Sequence, residues 1–417
     1  MKRLFAPKPA LNVEVSEKNV KPRAILAILF LVAGLIAFGF FLFSLLGKQS
    51  GWQKIELNAK MPRLSEEITL NYNIGASGFG ASAEYKKVAE TYTSAATKAY
   101  KCLDSYEEYS DVINLCTLSN NPNKEYTVDP VIYKAFELLE SYGVRYHYLS
   151  DLYMMYEGAF LIETEDYSMA EMDPYKSESA AEYFAEFIAF ANSPEHVRVE
   201  LLGNNKVKLF VSDEYLAFAK QNGVESLVGL GWMQNAFVID AVAEALIDQG
   251  YTQGNLVSIN GFNRNLDSSL DYSYNFYAVS GNVIYSAARL DYKGGGSFVA
   301  YRDYPNFDTD YKRYYSYADG NIITLYLDPE DGRYKSSSRN MTVFSKDLGV
   351  AELAVATAPV FIAEDIDTAK LLALVGNSVT SVWTEGGETV FHTGKGLTVV
   401  PTESGGVTFE IKEVITE

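Results

Sequence analysis

The chain has 417 residues, of which 48% are apolar and 21% are charged, and its formal net charge is −19. This apolar content provides material for a large core and excludes a mainly disordered chain. The acidic balance argues against nucleic-acid binding, because neutralising phosphates requires clusters of Lys and Arg that the chain lacks outside its first segment. Three histidines are too few for a histidine-rich metal centre.

The N-terminal segment differs from the rest of the chain. Residues 1–23 carry six basic and two acidic side chains, a net charge of +4 that leaves −23 for the remainder. The next 23 residues, Ala24 to Leu46, contain no charge and are long enough to cross a hydrocarbon core of about 30 Å. Basic residues on the N-terminal side favour a cytoplasmic tail. A cleaved signal peptide is the alternative, but its apolar region is usually only about 7–15 residues long.

We therefore expect a single-pass protein of the cell membrane with its main domain outside the cytoplasm. The expected segments are a cytoplasmic tail (1–23), a transmembrane signal anchor (24–46), a polar linker (47–60) and an extracytoplasmic domain (61–417). In that compartment the only two cysteines, Cys102 and Cys116, are free to form a disulfide, and two buried thiols are the alternative.

The first half of the domain is predicted to be mainly helical after an initial strand near 66–72. Apolar residues at helical spacing indicate a helix through Val88 to Leu103. Asp129 before Pro130, and Ser177, are N-cap signals for two further helices. The sequence Gly203-Asn-Asn between 197–202 and 207–211 predicts a β-hairpin.

The second half begins with a long amphipathic helix from Trp232 to Gln249, closed by Gly250. A helix is expected near 366–376, and an acidic tail ends the chain. Strands are expected near 255–259, 273–288, 298–303, 321–327, 339–345, 379–383 and 388–392. Helices and strands mix without a regular βαβ alternation, which indicates an α+β fold of mixed sheets flanked by helices.

The order of segments resembles the FAD:protein FMN transferase family, the ApbE-type flavin transferases. Residues 229–264 resemble the family's Leu-Gly-Gly-Ile-Ala-Lys-Gly-Tyr-Ala-Val-Asp helix start and the Gly-Gly-Asn turn beyond it. Residues 310–334 resemble the segment ending in His-His-Ile-Ile-Asp-Pro-x-Thr-Gly, and 341–362 resemble a strand followed by Ala-Asp-Ala-Leu-Ala-Thr. The stretches 105–115 and 128–143 are similar to earlier family segments.

The resemblance implies a domain that binds FAD and, with magnesium, transfers FMN to a Ser or Thr of a partner protein outside the membrane. A flavinylated or redox membrane protein would be that partner. Chemistry at a pyrophosphate needs neutralising charge, a metal and a base for the attacking hydroxyl. The positions that align with the family's cofactor-binding residues are Gly231, Asn235, Asp240, Gly261 and Asp328.

Several positions within the segments that resemble the family carry residues of a different type. Asn235 stands where the family has the Lys beside the dinucleotide. The family's His-His pair aligns with Thr324 and Leu325, neither of which can accept a proton usefully at neutral pH. Leu353 occupies the position of the metal-binding Asp.

The resemblance implies a magnesium site formed by Thr357, the Gln234 carbonyl and, after a local shift, Glu352. Without a well-placed carboxylate such a site would hold magnesium weakly. No residue is therefore assigned a catalytic role.

Three hypotheses follow from the sequence. The first is a membrane-anchored flavin-transferase homologue with degenerate catalytic and magnesium sites and a binding or scaffolding role. The second is an active transferase, and the third is a flavin carrier without transfer. The 31 tyrosines, concentrated at 142–156 and 272–317, would serve a binding role if they line a cleft, or form an amphipathic sheet surface if they do not.

Overall fold

The structure is a computed structural model that describes residues 29–32, 34–36, 50–59, 61–75, 80–162, 165–281, 283–306, 310, 313–385 and 387–415. Most of the expected anchor 24–46 lies outside these ranges, although residues 29–32 and 34–36 are helical. Over the described ranges we find no helix with the length and hydropathy needed to cross a bilayer. The anchor and the membrane location therefore stay predictions.

The helices of the described residues are α1 (Pro62–Glu67), α2 (Ala81–Leu103), α3 (Leu115–Asn120), α4 (Pro130–Ser141), α5 (Ser150–Leu161), α6 (Asp166–Met172), α7 (Glu178–Ala191), α8 (Asp213–Asn222), α9 (Gln234–Asp248), α10 (Val350–Phe361) and α11 (Thr368–Val375). Two short 3₁₀ segments, Tyr146–Tyr148 and Gly231–Met233, precede α5 and α9. The side chains of Asp129 and Ser177 cap α4 and α7 by accepting from backbone N–H groups, as predicted.

The strands are β1 (Gly51–Ile55), β2 (Ile68–Ile74), β3 (Glu125–Thr127), β4 (Val197–Gly203), β5 (Lys206–Val211), β6 (Gly254–Ser258), β7 (Phe262–Asn265), β8 (Asp271–Ser280), β9 (Val283–Lys293), β10 (Gly296–Arg302), β11 (Tyr314–Ser316), β12 (Ile322–Thr324), β13 (Asn340–Ser345), β14 (Val379–Trp383), β15 (Thr389–Thr393), β16 (Thr398–Pro401), β17 (Glu403–Ser404), β18 (Val407–Thr408) and β19 (Glu410–Glu413). The predicted α+β class is confirmed.

A nine-stranded sheet in the order β1-β2-β6-β7-β10-β13-β14-β15-β19 organises the domain. Its neighbouring strands are antiparallel except for the parallel pair β15 and β19. Strand β10 is buried on both faces, since Val299 and Tyr301 belong to the main core and Phe298 belongs to a second core. Helices therefore cover one face of this sheet, and the three-stranded sheet β16-β9-β8 covers part of the other.

The structure differs from the predicted elements in three places. Residues 51–55 of the expected linker form edge strand β1 of the main sheet. The strand expected at 273–288 is a hairpin of β8 and β9, with Gly281 at φ +60°. The expected acidic tail contains short strands, of which β19 pairs with β15.

Helix α10 was not predicted from periodicity, because nearly all of its residues are buried and it lacks the polar face of an amphipathic helix. The hairpin of β4 and β5 was predicted, and Asn204 and Asn205 turn it with positive φ angles of 50° and 58°. Cys102 and Cys116 are buried free thiols rather than a disulfide.

Candidate functional site

A cavity of about 250 Å³ lies where the 3₁₀ turn Gly231–Met233 leads into α9. We call it the acidic cavity, because its lining includes three glutamates. The lining residues that decide its chemistry are Arg63, Glu67, Glu157, Asn235, Arg313 and Leu325. The first two come from helix α1, and Glu157 comes from α5, so the site is assembled from distant parts of the chain.

Asn235 is only 2% exposed, and its amide lies between two acceptors at the N-terminal end of α9. Its Nδ2 atom donates to Glu67 Oε2 at 2.8 Å and to Asn260 Oδ1 at 2.8 Å. Both N–H groups of a side-chain amide are thereby used. The position aligned with the family's Lys thus carries a neutral group already committed to protein partners.

Arg63 lines the same cavity as this amide, and two carboxylates pair with its guanidinium. Its Nε atom lies 3.0 Å from Glu67 Oε1, and its Nη2 atom lies 2.8 Å from Glu157 Oε2. The hydroxyl of Tyr106 also donates to Glu157 Oε2 at 2.5 Å. A guanidinium paired with two carboxylates has little positive charge left to offer a phosphate.

The second lining arginine is also paired. Arg313 contacts the fully buried carboxylate of Asp310, which also accepts from Arg302 Nη1 at 3.2 Å. Leu325 is 5% exposed and lines the same cavity. Within the described lining, therefore, each arginine has a carboxylate partner, and the position aligned with a family histidine is apolar.

A second cavity of about 390 Å³ shares Glu67 and Ile259 with the acidic cavity. We call it the tyrosine cavity, because Tyr274 and Tyr277 of β8 form one wall. The facing wall is the main sheet, including Thr342 and other polar residues of β10 and β13. Of the two alternatives left open for the tyrosines at 272–317, Tyr274 and Tyr277 follow the first and line a cleft.

Gly261 and Gly231 shape these two cavities through their backbones. Gly261 has φ +87°, and a Cβ atom there would lie 2.3 Å from the Ala300 carbonyl oxygen. Gly231 has φ +49°, and its Cβ atom would lie 2.3 Å from the Tyr153 ring. Both positions require glycine for the conformation and for the space, with or without a ligand.

Asp240 points away from both cavities and caps helix α10. Its Oδ1 and Oδ2 atoms accept from the N–H groups of Val350 at 2.9 Å and Ala351 at 2.8 Å. Burial raises the pKa of Asp240, against the opposing effect of these two donors. A Cβ atom on Gly349 would lie 2.6 Å from Asp240 Oδ2, so the cap also needs the glycine before the helix.

The three predicted magnesium ligands lie in different surroundings. Gln234 lines the acidic cavity, whereas Glu352 lines a separate cleft beside Asp240 and accepts from Tyr142 OH at 3.1 Å. Thr357 is fully buried and donates to the Leu353 carbonyl oxygen at 2.7 Å. Its hydroxyl also lies 2.8 Å from the hydroxyl of Tyr301.

Comparison with solved structures decides the fold. The chain aligns with the ApbE protein from Thermotoga maritima at a TM-score of 0.53 and 13% identity, over 80% of this chain and 94% of that one. Flavin transferase ApbE from Vibrio cholerae aligns at a TM-score of 0.50 and 14% identity, over 76% and 89% of the two chains. The chain has an ApbE-like fold.

The resemblance seen in the sequence is therefore confirmed at the level of the ApbE fold. The sequence matches no known protein-family profile, and it matches no curated protein. At 13% identity the likeness concerns the fold.

The residues present do not fit the magnesium that an ApbE fold implies. Magnesium needs near-octahedral oxygen ligands at about 2.0–2.1 Å. The hydroxyl of Thr357 is sealed in the core and hydrogen-bonded, and the carboxylate position beside it is the buried Leu353. In the described ranges, no three or more His, Cys, Asp or Glu side chains are grouped so that they could hold a metal.

Asp328 lies outside both cavities, in the turn that follows β12. Its Oδ2 atom is 2.8 Å from Lys335 Nζ, and its Oδ1 atom accepts from the Glu330 N–H at 2.9 Å. The same lysine lies 2.9 Å from Asp331 Oδ2. The sequence Leu-Asp-Pro-Glu-Asp-Gly at 327–332 is therefore a turn whose two aspartates share one lysine.

Sequence reasoning missed the three charged residues that dominate the acidic cavity, Arg63, Glu67 and Glu157. The only local signal was the spacing of Arg63 and Glu67, which forms an i,i+4 pair on the short helix α1. Glu157 lies 94 positions from Arg63 in the chain, so nothing in the sequence pairs them.

Proposed function

We propose that this protein is a membrane-anchored, extracytoplasmic ApbE homologue that does not transfer FMN and has a binding or scaffolding role. The proposed anchor is Ala24 to Leu46, and the proposed setting is beside a redox or flavinylated membrane protein. The observation that carries the proposal is the state of Asn235, whose two side-chain N–H groups donate to Glu67 and Asn260.

The amide supports loss of transfer chemistry because a pyrophosphate needs positive charge near it. Replacing a cation about 4 Å from a phosphate by a neutral group removes about 1–4 kcal/mol of attraction, depending on the local dielectric. Here the neighbouring Glu67 is a carboxylate paired with Arg63 and supplies no positive charge. The remaining lining arginines of the described residues are paired with carboxylates and cannot compensate without breaking those pairs.

The positions of the proton acceptor and of the metal ligand support the same conclusion. Leu325 has no lone pair with which to accept the proton of an attacking hydroxyl. Leu353 cannot ligate a cation, and the neighbouring Glu352 faces the cleft beside Asp240 rather than Thr357. Groups of these kinds each contribute factors of about 10² or more to reaction rates.

Mass spectrometry of an acceptor protein tests the proposal. The full chain in detergent, FAD and magnesium are incubated with a protein that the Vibrio cholerae flavin transferase modifies, and that enzyme serves as the positive control. We expect no mass increase by one FMN on the acceptor with this chain. An adduct that forms at a rate within tenfold of the control enzyme would overturn the proposal.

A gain-of-function series separates a degenerate site from a wrong acceptor. The triple variant Asn235→Lys, Leu325→His and Leu353→Asp restores the three family-like groups. Adduct formation by this variant alone would support loss of chemistry on a retained fold. Asn275→Lys, on the wall of the tyrosine cavity, is the matched control for added charge and should form no adduct.

A further inference from the structure

Strand β1 lies shortly after the proposed anchor, and the residue before it is packed against the end of the main sheet. Ser50 lies so close to Gly75, the residue after β2, that a Cβ atom on Gly75 would lie 2.6 Å from Ser50 Oγ. The four residue steps from Leu46 to Ser50 span at most about 14 Å of extended chain. This end of the sheet therefore lies within about 14 Å of the end of the proposed anchor.

Strand register shows which residues share this end of the sheet, which we call the proximal end. The antiparallel pairing of Gly51 with Ile74 continues across the sheet to β15. The proximal ends of the strands are Gly51, Ile74, Gly254, Asn265, Gly296, Ser345, Val379 and Thr393. The base of the hairpin of β8 and β9 also lies here, because the N–H group of Gly294 donates to the Leu270 carbonyl oxygen at 2.9 Å. Strand β2 has seven residues, so the opposite, distal end of the sheet is about 20 Å away.

An exposed tryptophan and two exposed aliphatic side chains lie at the proximal end. Trp52 of β1 is 47% exposed, whereas the other two tryptophans of the chain, Trp232 and Trp383, are buried. Leu270 and Val375, in the segments that precede β8 and β14, are also exposed. Tryptophan has an apolar ring with one polar N–H group and is enriched where lipid meets water. The proximal end therefore carries side chains that suit a membrane surface.

Lysines that form no ion pair with a described residue lie at the same end. Lys346 and Lys395, in the turns after β13 and β15, are exposed and line one cavity of about 280 Å³, which Asp347 also lines. Lys293 is exposed as well and lies opposite Asp271 at the base of the hairpin. These turns therefore carry three lysines and two exposed aspartates, in a chain whose formal net charge is −19.

The distal end is acidic by contrast. Acidic residues lie within two positions of the distal ends of five strands, namely Glu56, Glu67, Asp303, Glu385 and Glu388. Arg302 and Arg339, which lie at the same end, are each paired with a carboxylate. The separation of about 20 Å exceeds the Debye length of about 8 Å in physiological salt. These acidic groups are therefore screened from a surface that contacts the proximal end.

We propose that the proximal end of the main sheet docks on an anionic lipid bilayer, with Trp52 at the interface and Lys346 and Lys395 against the lipid headgroups. This inference rests on the anchor of the proposed function and adds an orientation to it. The acidic cavity lies at the distal end, because two of its lining residues, Glu67 and Ile259, directly precede β2 and follow β6. A partner protein therefore meets that cavity about 20 Å from the lipid surface.

Tryptophan fluorescence in vesicles tests the docking. The full chain is reconstituted in phosphatidylglycerol vesicles whose acyl chains are brominated close to the headgroup, and in the same vesicles without bromine. The emission of Trp52 is the difference between the natural chain and Trp52→Phe. We expect bromine to lower this emission about twofold or more, because the ring lies at the lipid interface. Equal Trp52 emission in the two kinds of vesicle would overturn the inference.

Charge reversal tests the role of the lysines. The double variant Lys346→Glu and Lys395→Glu should lose about half or more of the quenching in anionic vesicles. Lys206→Glu with Lys220→Glu is the matched control, because both lysines are exposed on elements outside the main sheet, β5 and α8. Phosphatidylcholine vesicles and raised salt should weaken the quenching of the natural chain, so the claim can be tested even if the double variant fails to fold. Quenching that none of these changes alters would contradict it.

Another occupant of this surface would give a different result. A second copy of the chain would shield Trp52 from iodide in detergent solution, without lipid vesicles. Iodide should instead quench Trp52 in detergent and lose access to it in anionic vesicles. Shielding of Trp52 in detergent would overturn docking on lipid.

The docking and the proposed function fail in different ways. Release of the chain from vesicles at alkaline pH would overturn the anchor and the docking with it. A chain that stays in the vesicles with an unquenched Trp52 would overturn the docking alone. An FMN adduct on an acceptor protein would overturn the proposed loss of transfer, whatever the fluorescence gives.

Discussion

Helix α9 contributes to two regions, its junction with α10 and the acidic cavity. The positions that the resemblance aligns with family residues differ between these two regions. At the junction, Asp240 is kept and caps α10 through two backbone N–H groups. At the cavity, five positions earlier, the aligned Lys is Asn235. Of the two positions that the sequence resemblance aligns with family residues, Asp240 matches the family and holds a helix start, whereas Asn235 does not match the Lys expected beside a phosphate.

Two glycines and helix α10 show the same contrast between residues that the backbone requires and residues expected to carry chemistry. Gly231 and Gly261 are retained where a Cβ atom would collide with neighbouring atoms. Thr357, which the resemblance aligns with the family Thr, donates within the core, whereas the position that it aligns with the family Asp, one turn earlier, is the buried Leu353. The contacts of these residues serve the backbone and the core, and none of them depends on a ligand.

The largest effect should come from the backbone positions. We expect Gly261→Ala to lower the free energy of unfolding by about 3 kcal/mol or more, because it adds both a left-handed strain and a collision with the Ala300 carbonyl. Urea unfolding measures the change. Gly281→Ala, with φ +60° and open space around it, should cost only about 1 kcal/mol, and equal losses would contradict the steric explanation.

Loss of the cap at the junction should be the next largest effect. Asp240→Ala leaves two buried N–H groups of α10 unpaired and should cost about 2–3 kcal/mol. Asp367→Ala removes an ordinary cap at the exposed start of α11 and should cost about 1 kcal/mol. If the two losses measured by urea unfolding are equal, Asp240 is an ordinary cap and its retention needs another reason.

Acid should destabilise the protein through His147, a histidine of the scaffold rather than of the site. Burial lowers the pKa of His147 from 6.5 to about 3, and Arg145 acts in the same direction. Below pH 6.5 the unfolded chain therefore binds a proton at His147, whereas the imidazole stays neutral in the folded chain. The free energy of unfolding falls as pH drops from 6.5 towards 3.

Between pH 6.5 and 5 this loss amounts to about 2 kcal/mol. In the His147→Leu variant, the decrease in unfolding free energy between pH 6.5 and 5 should be smaller by that amount. An unchanged acid limb in the variant would show that His147 is protonated in the folded state.

The smallest effect should come from the acidic cavity. Asn235→Ala removes the amide between Glu67 and Asn260 and should cost about 1 kcal/mol, because Glu67 keeps Arg63 as a partner. Asn120→Ala removes an exposed amide–carboxylate bond to Glu108 and should cost less than about 0.5 kcal/mol. A loss at Asn235 as large as that at Asp240 would remove the distinction between the two regions.

Local signals in the sequence were sufficient for the elements with caps and turns. Asp129, Ser177 and the Asn204-Asn205 turn act through neighbours within three residues, so their roles are visible in the sequence. Helix α10 was missed because burial on all sides leaves no periodic pattern. The sequence predicts one strand in place of the hairpin β8–β9, because only Gly281 marks the turn.

The candidate site could be predicted only in part. Its departures at Asn235, Leu325 and Leu353 were visible in the sequence once the resemblance was recognised. The neutralisation of Arg63 by Glu157 was not, because it depends on a contact across 94 positions. The structural roles of Asp240 and Gly261 likewise depend on distant partners, Val350 and the Ala300 carbonyl.

The most direct test of the central claim is the mass of an acceptor protein after incubation with FAD, magnesium and either the natural chain or its triple variant. The natural chain should leave the acceptor mass unchanged under conditions in which the Vibrio cholerae flavin transferase modifies it fully. A stoichiometric FMN adduct formed by the natural chain would contradict the proposal that this protein does not transfer FMN.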